Sequence, residues 1–228
     1  MEITIAEVEK KLESIENKLL IFSFLVTTAL IVTFGIIKYP YWLDWIDNDE
    51  GPTAFMQTLF LFSSFIIGFF ICMIQYLSKN IKEKEKILWV FASFGFLLLT
   101  IESKYTFHNK IRDLLKIKTD FLWFHKGDFL LTIILVFGMI FSFFFIKNLK
   151  KSKRGLILFI LAVISSVASV SIDSLHFTKI LHNYRDFLFL LEEVLETTAM
   201  LLYINSFFTM FKIYFIDFLK EFFLLETK

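Results

Sequence analysis

Residues 155–172 read GLILFILAVISSVASVSI, and they follow directly on the basic run Lys147-Asn148-Leu149-Lys150-Lys151-Ser152-Lys153-Arg154. The first stretch carries no charge. A helix crossing a hydrocarbon core of about 30 Å needs about 17–25 such residues. The basic run beside it has the composition of a loop held on the cytoplasmic side of a membrane. Together they predict a spanning helix of defined direction.

Outward from this pair, the same pattern recurs. The sequence predicts six spans: Leu19–Ile37, Ala54–Leu77, Ile87–Ile101 (extended backward from about Lys82), Phe129–Ile146, Gly155–Ile172 and Phe187–Phe211. Hydrophobic residues make up 57% of the chain, Phe alone supplies 32 of 228, and mean hydropathy is +0.67. A soluble domain of this length needs more polar surface, so the expected fold class is all-α, a polytopic transmembrane helical bundle with an N-terminal amphipathic helix. Segment 1–18 is read as a cytoplasmic helix, 19–216 as the transmembrane domain and 217–228 as a cytoplasmic tail. Net charge is +1, which gives no sign of nucleic-acid binding. The single Cys72 excludes an intrachain disulfide and a cysteine-based zinc site. The first residues mix Glu2, Glu7 and Glu9 with Lys10 and Lys11, which is no cleavable signal pattern.

Charge bias orients the spans. Fifteen Lys and Arg residues fall at one set of span ends and nine at the other. The richer set holds both termini and Lys147–Arg154, so both termini are expected in the cytoplasm. The basic loop Ser103–Asp128 then faces outward, against the bias. Phe107, Ile111, Leu114 and Leu115 are helically spaced within it and predict a helix lying on the membrane. Near the N-terminus, Ile5, Val8, Leu12, Ile15 and Leu19 follow the 3-4-3-4 spacing of a coiled-coil seam. That seam predicts either a helix resting on the inner leaflet or the protein, or a homo-oligomer contact running into span one.

Nearly all candidate buried acids and histidines fall at the outward end. Ser165, Ser169 and Asp173 are spaced i, i+4, i+8, with His176 three residues further on. They share one helix face. The serines read as packing residues that let helices approach and bond across the interface. Packing does not require an Asp-x-x-His pair. Span six opens with Glu192, Glu193 and Glu196. Three carboxylates so close repel one another unless protonated, paired or bridged by a cation. They could also sit among lipid head groups and pair with Lys179 or Arg185. Glu102 closes span three. Glu193, Glu196 and Glu102 are the candidate catalytic groups. Asp173, His176, Glu192, Glu193 and Glu196 are the candidate ligands. Carboxylates with an imidazole suit a divalent metal, Zn²⁺, Mn²⁺ or Fe²⁺.

Three pieces carry a resemblance. They are Asp49-Glu50-Gly51-Pro52 opening span two, Glu102 ending span three, and Leu191-Glu192-Glu193-Val194-Leu195-Glu196 opening span six. They resemble a group of uncharacterised bacterial multi-pass membrane proteins with an acid-Gly-Pro turn, a Glu-Glu-x-Ser-Trp-Gly-Gln-Arg run and a late Leu-Glu-Glu-x-x-Glu. Here Ile101-Glu102-Ser103-Lys104-Tyr105 lacks the Trp-Gly-Gln-Arg. The resemblance implies a bacterial inner-membrane location and no particular activity. Three functions follow from the residues themselves: a metal-dependent site acting on lipid or a polar head group, a small cation or proton transporter, and a non-catalytic oligomeric component.

Overall fold

The computed structural model describes residues 4–33, 52–78, 81–105, 128–175 and 185–226. Side chains at 30–31, 52, 128–132, 135, 173–175, 185–186 and 224–226 are not part of that description. Six α-helices account for nearly all of it: α1 (Ile5–Val32), α2 (Pro52–Leu77), α3 (Glu83–Tyr105), α4 (Asp128–Leu149), α5 (Lys153–Leu175) and α6 (Arg185–Glu226). The described residues contain no strand.

Local chemistry sets several boundaries. Thr4 and Glu7 form a reciprocal capping box at the start of α1, with Thr4 N–H donating to Glu7 Oε2 at 3.0 Å and Glu7 N–H to Thr4 Oγ1 at 3.3 Å. Pro52 opens α2, where its missing N–H costs nothing. Ser152 caps α5 by accepting the Gly155 N–H at 3.1 Å. Helices α2 to α5 begin and end within a few residues of the predicted spans. The two outer helices of the sequence differ. Helix α1 runs unbroken from Ile5 through the expected junction at 18/19. Helix α6 continues to Glu226, well past Phe211 and through most of the expected tail.

Contacts fix the directions. Asn205 meets Ser23 while Lys212 meets Glu16, so α1 and α6 are antiparallel. Phe207 meets Phe96 while Tyr214 meets Trp89, so α3 and α6 are antiparallel as well. Gln57 meets Glu193 and Gly68 approaches Phe207, so α2 and α6 run parallel. The start of α1, the turn between α4 and α5 and the end of α6 therefore share one end, here termed the basic end. The start of α6 lies at the opposite, acidic end.

Helix α6 is the centre of the bundle. It packs most extensively along α5, then α2 and α1. Buried residues such as Thr197, Leu201, Asn205, Phe207, Met210 and Tyr214 lie around much of its circumference. Its neighbours shelter it, so it can carry polar side chains that bond sideways. Asn205 Nδ2 donates to Ser23 Oγ of α1 at 2.8 Å, and Ser206 Oγ donates to the Gly155 carbonyl of α5 at 2.8 Å. Such bonds hold helices together where solvent supplies no hydrophobic drive. An aromatic core fills the basic half. Phe145 of α4 is fully buried and lies 4.8 Å from Trp89 of α3 and 5.4 Å from Phe159 of α5, ring to ring. Each such pair adds about 0.5–1.5 kcal/mol beyond area burial.

The outside of the bundle is apolar. Phe24, Phe62, Phe91, Phe143 and Ile164, on five different helices, are all more than 40% exposed. Large apolar side chains exposed on so many helices are foreign to water-soluble monomers. Among the described residues three helices are long and apolar enough to cross a membrane: Thr53–Leu77, Glu83–Tyr105 and Lys153–Ile172. Val136–Leu149 is a shorter apolar helix. The end of the first predicted span, 34–37, lies outside the described residues.

Candidate functional site

The acidic end is built from the first turns of α2 and α6 and the last turn of α3. Gln57 lies in the second turn of α2 and is buried. Its Nε2 donates to Glu193 Oε2 at 2.8 Å. This bond ties one oxygen of the Glu193 carboxylate to α2. One turn before Gln57, Thr53 is buried, and one turn after Glu193, Thr197 is buried. Neither hydroxyl has a hydrogen-bond partner. Across α2 and α3, Thr58 Oγ1 and Ser103 Oγ lie 3.0 Å apart, which places Glu102 beside this cluster in sequence and at the same end. Glu102, Glu192, Glu193 and Glu196 are all partly buried.

The sequence singled out six residues, and their outcomes differ. Glu102, Glu192, Glu193 and Glu196 share one end of the bundle, as their spans required. Asp173 lies on α5, but its side chain is outside the description, and His176 lies outside the described residues altogether. His108, His125, His182 and the turn Asp49-Glu50-Gly51 also lie outside them, as does the expected surface helix within 106–127. Among the described residues no three His, Cys, Asp or Glu side chains come together as a metal-holding group. On α5 Ser169 of the serine stripe is buried, and the neighbouring Ser166, off that stripe, places its Oγ 3.5 Å from the Tyr203 hydroxyl of α6.

The basic end holds two ion clusters that sequence reading did not isolate. Glu16 of α1 is only 1% exposed. It meets Lys212 Nζ at 2.5 Å and Arg154 Nε at 3.1 Å, and accepts from Thr209 Oγ1 at 2.7 Å. Arg154 also donates to Asn17 Oδ1 at 2.8 Å. One carboxylate thus joins α1, α5 and α6. In the second cluster Glu85 of α3 meets Lys151 Nζ at 2.6 Å and accepts from the Tyr214 hydroxyl. Trp89 Nε1 donates to that hydroxyl at 3.2 Å, and Lys151 Nζ lies 4.5 Å from the Tyr214 ring centroid. Burial first, and then the Glu85 carboxylate, hold the Tyr214 phenol well above its usual 10.0. Gln75 is fully buried nearby, its amide close to the Tyr214 hydroxyl without hydrogen-bond geometry. Glu16 and Glu85 were hidden among the many charges of their helix ends. The only signal was that Glu16 has a basic run to meet on another helix, and spacing cannot show that.

A domain of unknown function, DUF8692, matches residues 19–211. The chain belongs to the DUF8692 family. The match takes in all six predicted spans and both threonines of the acidic-end seam. Glu16 and Lys212 lie just outside it, while Arg154 and Thr209 lie within. The family is uncharacterised, as the resemblance in the sequence implied, and its description assigns DUF8692 no activity. No curated protein and no solved structure matches the chain.

Proposed function

We propose that this DUF8692 protein is an integral membrane protein that binds a cation at an outward-facing acid site. One observation carries the reading: Gln57 fixes Glu193 at 2.8 Å inside the α2–α6 seam. An ionisable side chain within an apolar helical bundle marks a functional site by default. Glu193 and Glu196 would be the principal ligands, with Glu102 at the edge and Glu192, Asp173 and His176 supplying further groups. The location would be a bacterial inner membrane with both termini cytoplasmic. Support for this comes from the shared end of α1 and α6 and from Lys147–Arg154 at that same end. Carboxylate and imidazole together suit Zn²⁺, Mn²⁺ or Fe²⁺, and such an ion would supply activated water for hydrolysis at a lipid head group. A cation passing through the same site would make the protein a transporter.

The test is cation binding by detergent-purified protein, with Na⁺, Ca²⁺, Mn²⁺ and Zn²⁺ titrated separately. At least one should raise the melting temperature saturably, and Glu193→Gln/Glu196→Gln should abolish that rise. If none of the four acts on the wild type, the site reading is wrong.

A further inference from the structure

Helix α4 meets the rest of the bundle over only part of its length. Phe145 and Leu149, in its basic half, are fully buried. In its acidic half Val136, Phe137, Gly138, Met139 and Ile140 are all exposed. These consecutive residues cover more than one full turn of about 3.6, so no side of the helix is buried there. Ile134, Gly138, Phe141, Phe145 and Leu149 are spaced i, i+4, i+7, i+11, i+15 and form one face, the face that Phe145 turns to the core. On that face a Cβ added at Gly138 would meet nothing within 4 Å, and Ile134 is 40% exposed. Helix α4 therefore stands off from the bundle in its acidic half.

The gap has a floor and two walls. Phe145 meets Phe207 of α6, ring to ring at 6.0 Å. Glu192, Glu196, Tyr203 and Phe207 are spaced i, i+4, i+11, i+15 and share one face of α6. Both helices run toward the basic end. Ile134, eleven residues before Phe145, thus comes level with Glu196, eleven before Phe207. On the walls, Phe96 of α3 lies 5.1 Å from Tyr203 and Phe159 of α5 lies 5.5 Å from it, ring to ring. The result is a trough floored by α6, walled by α3 and α5 and open sideways where α4 stands off.

Surroundings, length and charge define the occupant. The trough opens onto the apolar flank of the bundle, beside the exposed Phe137 and Ile164, so what enters comes from the bilayer. From Phe207 to Glu196 the floor runs about 16 Å. That is the depth of one leaflet of a hydrocarbon core about 30 Å thick, and so the reach of one acyl chain. The acidic end of the floor carries Glu192 and Glu196. Carboxylates there favour a head group bearing an ammonium over one that is only anionic. We propose that the trough binds one ethanolamine-type phospholipid from the leaflet at the acidic end, its chain between α4 and α6 and its ammonium at Glu192 and Glu196. This goes beyond the cation reading and needs no metal ion.

The experiment uses the full chain in phosphatidylglycerol vesicles that hold a trace of phosphatidylethanolamine with a photoreactive diazirine in its chain. Illumination should label α6 between Glu196 and Phe207, read by mass spectrometry. Bulk lipid does not reach this stretch, because α6 is the central helix. Gly138→Trp fills open space and removes a helical glycine, so it should melt no lower than wild type. It should cut the labelling of α6 at least tenfold, while Gly138→Ala, too small to fill the trough, keeps it. Ile134→Trp gives a second reading if Gly138→Trp fails to fold. The ethanolamine probe should label α6 severalfold more than the same probe with a glycerol head group, and Glu192→Gln/Glu196→Gln should erase that preference. Wild-type α6 left unlabelled overturns the inference, whether water or a second copy of the chain fills the trough. A metal-ion response in that same preparation would leave the cation reading standing. Equal labelling by the two probes overturns the head-group assignment, and equal labelling of wild type and Gly138→Trp overturns the trough itself.

Discussion

At the scale of single residues, two positions give sharp expectations. A Cβ on Gly68 would sit 2.5 Å from Ser93 Oγ but 3.5 Å from Ser93 Cβ. The clash is therefore with one oxygen. Gly68→Ala should destabilise the bundle by about 1–3 kcal/mol, the usual cost of overpacking. Gly68→Ala/Ser93→Ala should recover most of that loss, because only an ordinary contact remains. Thermal melts of the four proteins in one detergent check this, and a double variant no better than Gly68→Ala contradicts it. Tyr214 tests the second ion cluster. Tyr214→Phe leaves the Glu85 carboxylate and Trp89 N–H without that partner, so it should cost about 1–3 kcal/mol near neutral pH. The phenol is held above its usual value, so its folded state keeps a proton that the unfolded state gives up near pH 10.0. Stability from this group is thus complete below that pH and is lost as pH rises through the folded value. The gap between wild type and Tyr214→Phe should narrow above about pH 10, and a gap constant up to pH 11 would count against the assignment.

Among the elements, α1 docks through a face that its apolar pattern does not mark. The apolar seam of Ile5, Val8, Leu12 and Ile15 predicts a surface for the inner leaflet, for the protein itself or for a second copy of the chain. In the structure Ile15 is 48% exposed, while its neighbour Glu16 is 1% exposed. The face docked on α6 is set by Glu16 and Ser23, one heptad apart, rather than by Ile15. Hydrophobic periodicity could not reveal this, because the decisive carboxylate pairs with Arg154 and Lys212 on helices far along the chain. Breaking a buried ion pair by removing one partner costs about 3–5 kcal/mol, and the partly exposed Arg154 and Lys212 place Glu16→Ala at the lower end. Limited proteolysis should then cut at Lys10, Lys11 or Lys18 in Glu16→Ala and spare them in wild type. Protection in both would mean that α1 is held by its apolar contacts alone. The half-buried Val8 and Leu12 remain available for a second copy of the chain. Replacing both with Glu should lower the oligomer fraction in cross-linked native membranes if that contact forms.

For the whole molecule, the prediction is a topology. Three helices have the length and composition to cross a membrane, and the directions of α1, α2, α3 and α6 put the start of the first and the end of the last together. Lys150→Cys should react with a membrane-impermeant maleimide only from the cytoplasmic side, and Asn183→Cys only from outside. Lys150 is chosen because it is exposed, whereas Ser152 caps α5. Labelling with the sides reversed would overturn the orientation while leaving the bundle intact. The exposed Phe24, Phe62, Phe91, Phe143 and Ile164 explain why α1 to α5 were readable: a helix at the outside of such a bundle shows an apolar flank, and that flank is written in its own residues.

The sequence by itself determined the class of the fold, the placing of α2 to α5 and the gathering of Glu102, Glu192, Glu193 and Glu196 at one end. These are matters of local composition, helix period and alternating direction, and none needs knowledge of neighbours. It also carried the family, since the DUF8692 match covers the same residues that the spans occupy. Only the tertiary structure decided that α6 is the central helix, which is why a segment bearing Asn205, Ser206 and Thr209 can lie inside the bundle. Only it selected Gln57 as the partner of Glu193, Glu16 as the anchor of α1 and Thr197 as an unpartnered hydroxyl. A polar side chain among apolar ones has the same one-dimensional signature whether it faces a partner, a cation or a head group. Its surroundings, assembled from helices far apart in the chain, set its energy and therefore its role.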